Sequence, residues 1–120
     1  MDLYGNELIQ RFKKPLYKYS GERGLKKISG SNESCGDQVN LFLLIKDNRI
    51  ITARQECNGC LISNVSADFL CELLEEKTLE QASKIKDNDL LELFGINHYS
   101  ERSKCVLLSL QVLKKNASLL

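Results

Sequence analysis

The chain lacks the two features that most readily place a protein on a membrane or on nucleic acid, a long apolar run and a net charge. Its longest uninterrupted apolar run is Leu41 to Ile45, far short of the roughly 20 residues that cross a bilayer. Its 17 basic and 16 acidic side chains leave a formal net charge of +1, which gives no general attraction to polyanions. We therefore predict no membrane span, no membrane partner and no nucleic-acid partner.

Several functional signatures are also missing. No basic segment leads into an apolar one after Met1, so we expect no secretory signal. The cysteines number five, an odd count, which argues against a disulfide framework and fits free or metal-bound thiols in a reducing, cytoplasmic compartment. The chain contains neither a phosphate-binding glycine loop nor a serine-nucleophile motif, so nothing indicates a nucleotide-dependent enzyme or a hydrolase.

The patterns that are present predict a first helix and then a hairpin. The 120 residues suggest a single domain over positions 1–120. Residues 2–13 have helical apolar spacing that ends before Pro15, and residues 15–34 form a surface connection with one short strand near 25–29. Residues 39–46 predict a strand whose side chains point alternately to its two faces, with Val39, Leu41, Leu43 and Ile45 on one of them. Asp47 and Asn48 tolerate the positive φ of a tight turn into a second strand over 49–56.

The second half of the chain predicts helices. Apolar spacing over 62–74 indicates a helix with Cys60 at or just before its amino terminus, and Thr78 with Gln81 matches a capping box. A short helix follows, opened by residue 87 or 88 and closed by Gly95. An amphipathic helix over 102–117 carries Cys105 in its first turn. The fold class is therefore α+β, with a small antiparallel sheet of about three strands and helices packed on one face.

Thiols and a carboxylate occur in three separate segments. Cys35 and Asp37 precede the first strand of the hairpin and Cys57 and Cys60 follow the second, so both groups lie at the same end of the sheet. The usual reason for such groups to meet, together with Cys105, is a metal or sulfur centre. Taken alone, the pair Cys57-x-x-Cys60 fits half a zinc site, a redox pair or two unrelated residues.

The surrounding sequence argues against some of these interpretations of Cys57 and Cys60. A thioredoxin-like redox pair lacks its βαβ surroundings here, and a zinc ribbon lacks its second close pair. Cys71 lies beside Leu70 on the apolar side of a helix and is expected in the core. His98 is expected to be a solvated loop residue, with metal ligation as the alternative. Two pairs of lysines, at 26–27 and 114–115, are expected on the solvated surface.

Motifs across nearly the whole chain resemble one known family. They are the opening helix ending at Pro15, Cys35-Gly36-Asp37 before a hairpin, Gly59-Cys60-x-Ile62-Ser63, the segment 77–82 and Lys104-Cys105. In order and spacing they are similar to the U-type iron-sulfur cluster assembly scaffolds, which comprise IscU, SufU and amino-terminal NifU proteins. The resemblance implies a SufE/NifU-like fold and one NifU-like scaffold domain.

The resemblance also implies a site and partners. The family's ligands for zinc or an iron-sulfur cluster, most often 2Fe-2S, fall on Cys35, Cys60 and Cys105, and its aspartate falls on Asp37. Family members take sulfur from a cysteine desulfurase and pass clusters to apo iron-sulfur acceptor proteins. We expect Cys35 to accept the sulfur and the protein to be a monomer or weak dimer.

Two readings of function follow. The first is an iron-sulfur cluster assembly scaffold that binds iron or a transient cluster. The alternative is a SufU-type zinc-dependent sulfurtransferase that activates a desulfurase without holding a cluster. Arg102 and Lys104 before the last cysteine are similar to the residues of SufU members at these positions. The separation of Cys60 and Cys105, 45 residues, is nearer that of IscU. The IscU chaperone-recognition motif is absent, and Cys57 matches no usual ligand of the family. A small zinc-stabilised interaction domain is a third possibility.

Overall fold

The computed structural model describes residues 5–33 and 36–120. Residues 2–4 of the predicted first helix and the predicted sulfur acceptor Cys35 therefore lie outside the described residues. Within them the chain forms three strands, five α-helices and two short 3-10 helices, in the order α1 Gly5–Lys13, β1 Lys26–Asn32, β2 Asp37–Lys46, β3 Arg49–Asn58, α2 Leu61–Leu74, α3 Leu79–Ser83, α4 Asp87–Leu91, Glu92–Phe94 (3-10), α5 Ser103–Lys115 and Ala117–Leu119 (3-10).

The predicted hairpin is confirmed. Strands β2 and β3 pair antiparallel, and the sheet order is β1-β2-β3. Asp47 and Asn48 have φ of 55° and 62°, the positive pair that a two-residue type I′ turn requires. The register pairs Asn32 with Asp37 and Gln38 with Asn58. The start of β2 therefore lies beside the ends of both neighbouring strands.

Strand β1 extends further than its sequence indicates. The sequence predicts a short strand near 25–29, and the structure has a strand over Lys26–Asn32. Its side chains are mostly polar, and Ile28 is its one buried residue. Gly30 lets α5 approach closely, since a Cβ there would lie 2.6 Å from Cγ2 of Val112. Pairing with β2 and the close approach of α5 hold a segment whose own composition favours a loop.

The core lies between one face of the sheet and helices α2 and α5, which confirms the predicted α+β architecture. Strand residues Val39, Leu41 and Leu43 are at most 1% exposed, and they face fully buried residues of the two helices, including Val65, Leu70, Leu74, Val106 and Leu110. On the opposite face Phe42 is also buried, because Tyr19 stacks on it with ring centroids 3.7 Å apart. Cys71 is fully buried, as predicted.

The remaining helices begin and end largely as predicted. Thr78 and Gln81 form a capping box at α3, and Gly95 closes the 3-10 turn after α4 with φ of 63°. The last helix begins at Ser103, so Cys105 lies in its first turn. Across the described residues, no helix is both long and apolar enough to cross a membrane.

Helix α1 has no fully buried residue, although Leu8 packs partly buried against the core, and polar contacts add to its attachment. The guanidinium of Arg11 donates from Nε to Oδ2 of Asp68 at 2.5 Å and lies over the ring of Phe69. Asp68, on α2, also accepts the backbone N–H groups of Leu16 and Tyr17 at 2.9 and 2.8 Å. One buried carboxylate therefore ties α1 and the residues after it to the body of the domain.

Candidate metal and sulfur site

The candidate site begins where β2 starts and β3 ends. Asp37 is the first residue of β2, and its side chain is buried at 3% exposure. The β3 strand ends at Asn58, and Gly59 then leads the chain directly into α2. The hairpin register therefore brings Asp37 beside the segment that contains Cys60.

Cys60 is the amino-terminal cap of α2. Its Sγ accepts the backbone N–H of Ser63 at 3.4 Å, in the manner of a capping side chain. The first backbone N–H groups of a helix have no partner within the helix, and they favour negative charge at this end. The placement confirms the prediction that Cys60 lies just before a helix start. The residue is exposed.

The third side chain comes from α5. This helix packs along α2, and the hydroxyl of Ser66 donates to the backbone oxygen of Val106. The contact fixes the first turn of α5 beside the start of α2 and so brings Cys105 to the site. Oxygen and sulfur atoms of Asp37, Cys60 and Cys105 all lie within 4.8 Å of one another.

The Asp37 carboxylate is held by several neutral donors. Oδ2 accepts the hydroxyl of Ser63 at 2.6 Å, and Oδ1 accepts the backbone N–H of Cys60 at 3.1 Å. The Cys60 Sγ lies 3.6 Å from Oδ2. Gly59 makes room for the group, since a Cβ at that position would lie 2.7 Å from Cγ of Asp37.

These contacts govern the ionisation of Asp37. Burial disfavours the charged form, but hydrogen bonds from Ser63, from the Cys60 backbone and from the thiols of Cys60 and Cys105 outweigh it and hold the pKa of Asp37 below its usual value. The carboxylate is therefore negatively charged at neutral pH. An anionic oxygen beside two thiols is a ready set of metal ligands.

The chemistry of this donor set fits zinc or iron. Zinc accepts cysteine sulfur and carboxylate oxygen in tetrahedral sites, and thiolates are the usual ligands of iron-sulfur clusters. Asp37, Cys60 and Cys105 supply three donors of such a site. The fourth predicted ligand, Cys35, is two positions before Asp37 in the sequence and lies outside the described residues.

Cys57 is near the site but is not one of the three grouped side chains. It lies on β3, partly buried and packed against the core. Burial, with smaller contributions from the charges of Asp37 and Cys60, raises the pKa of Cys57 to about 12. The residue is thus a protonated thiol at neutral pH. His98 lies in an exposed turn, as predicted, and is also outside the grouped set.

A groove runs from the site toward α1. It is lined by Leu8 and Ile9 of α1, by Ile62 of α2, by Arg102 and by the two cysteines 60 and 105. The thiols are thus reached from a mostly apolar surface with one cation at its edge. Such a surface suits contact with a protein partner.

Reasoning from the sequence missed two supporting residues. Ser63 appeared only as part of a motif, and Gly59 only as a flank of Cys60. Ser63 occupies the third position of α2, where its backbone reaches the capping sulfur and its hydroxyl reaches Asp37. A hydroxyl residue three positions after a capping cysteine was the signal available for it.

Comparison with known proteins identifies the family of this chain. The family model described as the NifU-like N terminal domain matches residues 3–118. The iron-sulfur cluster assembly protein IscU of Plasmodium falciparum is 34% identical over 90 residues, which cover 72% of this chain and 56% of that protein. The chain thus spans little more than half the length of that relative.

Two SufU proteins align over more of their length. The zinc-dependent sulfurtransferase SufU of Bacillus subtilis is 26% identical over 133 residues, covering 97% of this chain and 90% of that protein. The crystal structure of FiSufU from Fervidobacterium islandicum AW-1 superposes with a TM-score of 0.75 at 26% identity, covering 93% and 94% of the two chains. With the family model matched over nearly all its residues, the chain belongs to the NifU-like N-terminal domain family of U-type scaffold proteins.

Proposed function

We propose that this protein is a cytoplasmic scaffold for iron-sulfur cluster assembly, acting as one domain over residues 1–120. It accepts sulfur from a cysteine desulfurase, binds iron or a transient 2Fe-2S cluster, and passes the cluster to apo acceptor proteins. The observation that carries the proposal is the convergence of Asp37, Cys60 and Cys105 from three separate segments, in a chain of the U-type scaffold family.

Cys35 is assigned the sulfur-accepting role. Its thiolate attacks the outer sulfur of a persulfide on the desulfurase, the sulfur-sulfur bond of that persulfide breaks, and the desulfurase cysteine leaves as a thiolate. Cys35 then carries the persulfide. The thiols of Cys60 and Cys105, with the Asp37 carboxylate, supply the remaining ligands.

The mixed donor set suits a protein that must release what it assembles. Three cysteines and one carboxylate bind iron less firmly than four thiolates, because oxygen is a harder and weaker partner for a cluster iron. Asp37, as the one oxygen donor of the set, is the ligand expected to exchange. We expect Asp37→Cys to retain a cluster longer and transfer it more slowly than the wild-type protein.

The same four residues, Cys35, Asp37, Cys60 and Cys105, would hold a zinc ion when no cluster is present. When bound, zinc keeps its cysteine ligands as thiolates at neutral pH. The exposed Cys60 and the groove beside it leave the site open to an approaching partner.

Reconstitution tests the scaffold function directly. The protein is mixed anaerobically with ferrous iron, cysteine, a cysteine desulfurase and a reductant, which supplies the electrons that turn persulfide sulfur into cluster sulfide. Cluster formation is followed by visible absorbance and by activation of an apo ferredoxin. We expect a transferable cluster with the wild-type chain and none with Cys35→Ser or Cys60→Ser. Absence of any cluster from the wild-type chain would contradict the proposal.

A second candidate function is that of a SufU-type zinc-dependent sulfurtransferase, which stimulates the desulfurase without holding a cluster. It is favoured by the alignment with the Bacillus subtilis SufU over 97% of this chain and by Arg102 at the edge of the site groove. Zinc content and desulfurase kinetics separate the two. One tightly held zinc, strong stimulation of the desulfurase and no cluster would favour the transferase.

A further inference from the structure

We propose that Ser63 is the positioning residue for Asp37, orienting its carboxylate as a metal ligand. The inference rests on the proposed function, because it assumes that Asp37 binds a metal. It adds a residue outside the ligand set that controls how well the set binds.

The geometry joins Ser63 to two members of the site. Its hydroxyl donates to Oδ2 of Asp37 at 2.6 Å, and its backbone N–H donates to Sγ of Cys60 at 3.4 Å. Ser63 is 1% exposed, so water does not compete for these bonds. A short, buried hydrogen bond from a fixed helix position leaves the Asp37 side chain little freedom to rotate.

The contact orients the carboxylate without using it up. A carboxylate oxygen has about two lone-pair directions, and the Ser63 hydroxyl occupies one of those on Oδ2. The Cys60 thiol faces the same oxygen at 3.6 Å, and it no longer donates once the sulfur binds a metal as a thiolate. The second oxygen is fixed by the backbone N–H of Cys60 at 3.1 Å, and the backbone of Gly59 packs against the same group, since a Cβ there would lie 2.7 Å from Cγ of Asp37. Among the described residues no ion pair forms with Asp37, so its charge remains available to a cation.

Hydrogen bonds of this kind tune metal sites. Partners that orient a ligand typically change metal affinity by about 10- to 100-fold when they are removed. We therefore expect Ser63→Ala to weaken zinc binding by about 10- to 100-fold, even though Ser63 is not itself a ligand.

The experiment measures zinc affinity of the full chain by competition with a chromophoric chelator. Four variants are compared: Ser63→Ala, Asp37→Ala, the double variant and Ser109→Ala. Ser109 is the matched control, since it is a buried serine of α5, 1% exposed, whose hydroxyl has no hydrogen-bond partner among the described residues. Absorption spectra of the cobalt-substituted proteins report the ligand geometry independently of affinity.

The inference predicts that Ser63→Ala loses affinity and shifts the cobalt bands, that Ser109→Ala does neither, and that Ser63→Ala has no further effect once Asp37 is alanine. An equal loss with and without Asp37 would overturn it, because Ser63 would then act through Cys60 or the fold. If the wild-type chain binds zinc and Ser63→Ala binds it equally well, only this inference fails. If the wild-type chain binds no metal, the proposed function fails with it.

If an alanine variant does not fold, a second pair of variants at position 63 still tests the role of the hydroxyl. Ser63→Thr keeps a hydroxyl, and Ser63→Val has nearly the same shape without one. We expect the threonine variant to bind zinc more tightly than the valine variant by about 10-fold or more. Equal affinities for this pair would overturn the inference.

Discussion

Two buried carboxylates along one helix have opposite surroundings. Asp68, in the middle of α2, is fully buried and is neutralised by Arg11 at 2.5 Å, with further bonds from two backbone N–H groups and from Nε2 of Gln55. Asp37, against the start of α2, is 3% exposed and receives only neutral donors among the described residues. The first carboxylate has its charge paired inside the protein, whereas the second keeps its charge for a cation. We infer that Asp68 serves the fold and Asp37 serves the site.

The largest expected effect comes from removing Asp68. Asp68→Ala leaves the Arg11 guanidinium, whose side chain is 13% exposed, without its buried partner, and loss of one member of a buried ion pair costs about 3–5 kcal/mol. We expect the free energy of unfolding in urea to fall by that amount.

Glu72 is the matched control for that change, since it also pairs with Arg11 but its side chain is 44% exposed. We expect Glu72→Gln to cost about 0–1 kcal/mol. Zinc affinity of the folded Asp68→Ala protein should stay close to that of the wild-type chain. If Asp68→Ala lowered the free energy of unfolding as little as Glu72→Gln, the claim that Asp68 stabilises the fold would be contradicted.

The next effect is at the wall of the site. Gly59→Ala places a methyl group where Asp37 now lies, 2.7 Å from its Cγ, so the carboxylate must move. We expect zinc affinity to fall by about 10-fold or more, measured by chelator competition. Gly5→Ala is the control, because nothing lies within 4 Å of its added Cβ. Unchanged affinity in Gly59→Ala would show that the position of Asp37 does not matter.

A smaller effect concerns acid stability. The pKa of Asp37 is held below its usual value because the hydrogen bonds from Ser63, Cys60 and Cys105 outweigh the effect of burial. A carboxyl whose pKa is lowered by folding stabilises the fold at pH values above its pKa in the unfolded chain, near 3.8. That stability is lost as the pH falls through the pKa of the folded state. The metal-free wild-type chain should therefore lose stability more steeply than Asp37→Asn below about pH 4.

Urea denaturation of both proteins at a series of pH values between 3 and 6 checks this expectation. Glu22, whose pKa is lowered to about 2 mainly by hydrogen bonds from the backbone of residues 20 and 22, is present in both proteins and so cancels in the comparison. Parallel curves for the two proteins over this range would contradict the assigned role of the Asp37 hydrogen bonds.

The smallest effect is expected at Cys57. Burial raises its pKa to about 12, so almost all of this side chain is the protonated thiol at pH 8. Iodoacetamide should therefore alkylate the exposed Cys60 of metal-free protein well before Cys57, as peptide mass spectrometry would show. Cys57→Ser should change zinc affinity by less than about 3-fold, below the range for a partner that orients a ligand. A larger loss would make Cys57 a ligand.

Local signals predicted the elements that place the site. Two residues tolerant of positive φ located the turn of the hairpin, and helical spacing after Cys60 located its capping position. These features depend on neighbours in the sequence, so the sequence alone was sufficient. The predicted meeting of Asp37 with Cys60 and Cys105 followed from those placements and from the family resemblance.

Two particular contacts between distant segments could not be predicted. The bond from Ser63 to Asp37 spans 26 residues, and the ion pair of Arg11 with Asp68 spans 57. Both depend on where buried side chains point after packing, which neither periodicity nor turn chemistry encodes. Strand β1 was underestimated for a similar reason, because its partner strand and α5 stabilise a segment rich in Gly, Ser and Lys.

The central claim is that one carboxylate and three of the five cysteines form the site. X-ray absorption spectroscopy of the zinc-loaded wild-type chain tests it most directly. We predict one zinc with three sulfur neighbours at about 2.3 Å and one oxygen at about 2.0 Å, and loss of one sulfur in Cys35→Ser, Cys60→Ser or Cys105→Ser but not in Cys57→Ser. Four sulfur neighbours in the wild-type chain, or a sulfur lost in Cys57→Ser, would contradict the account.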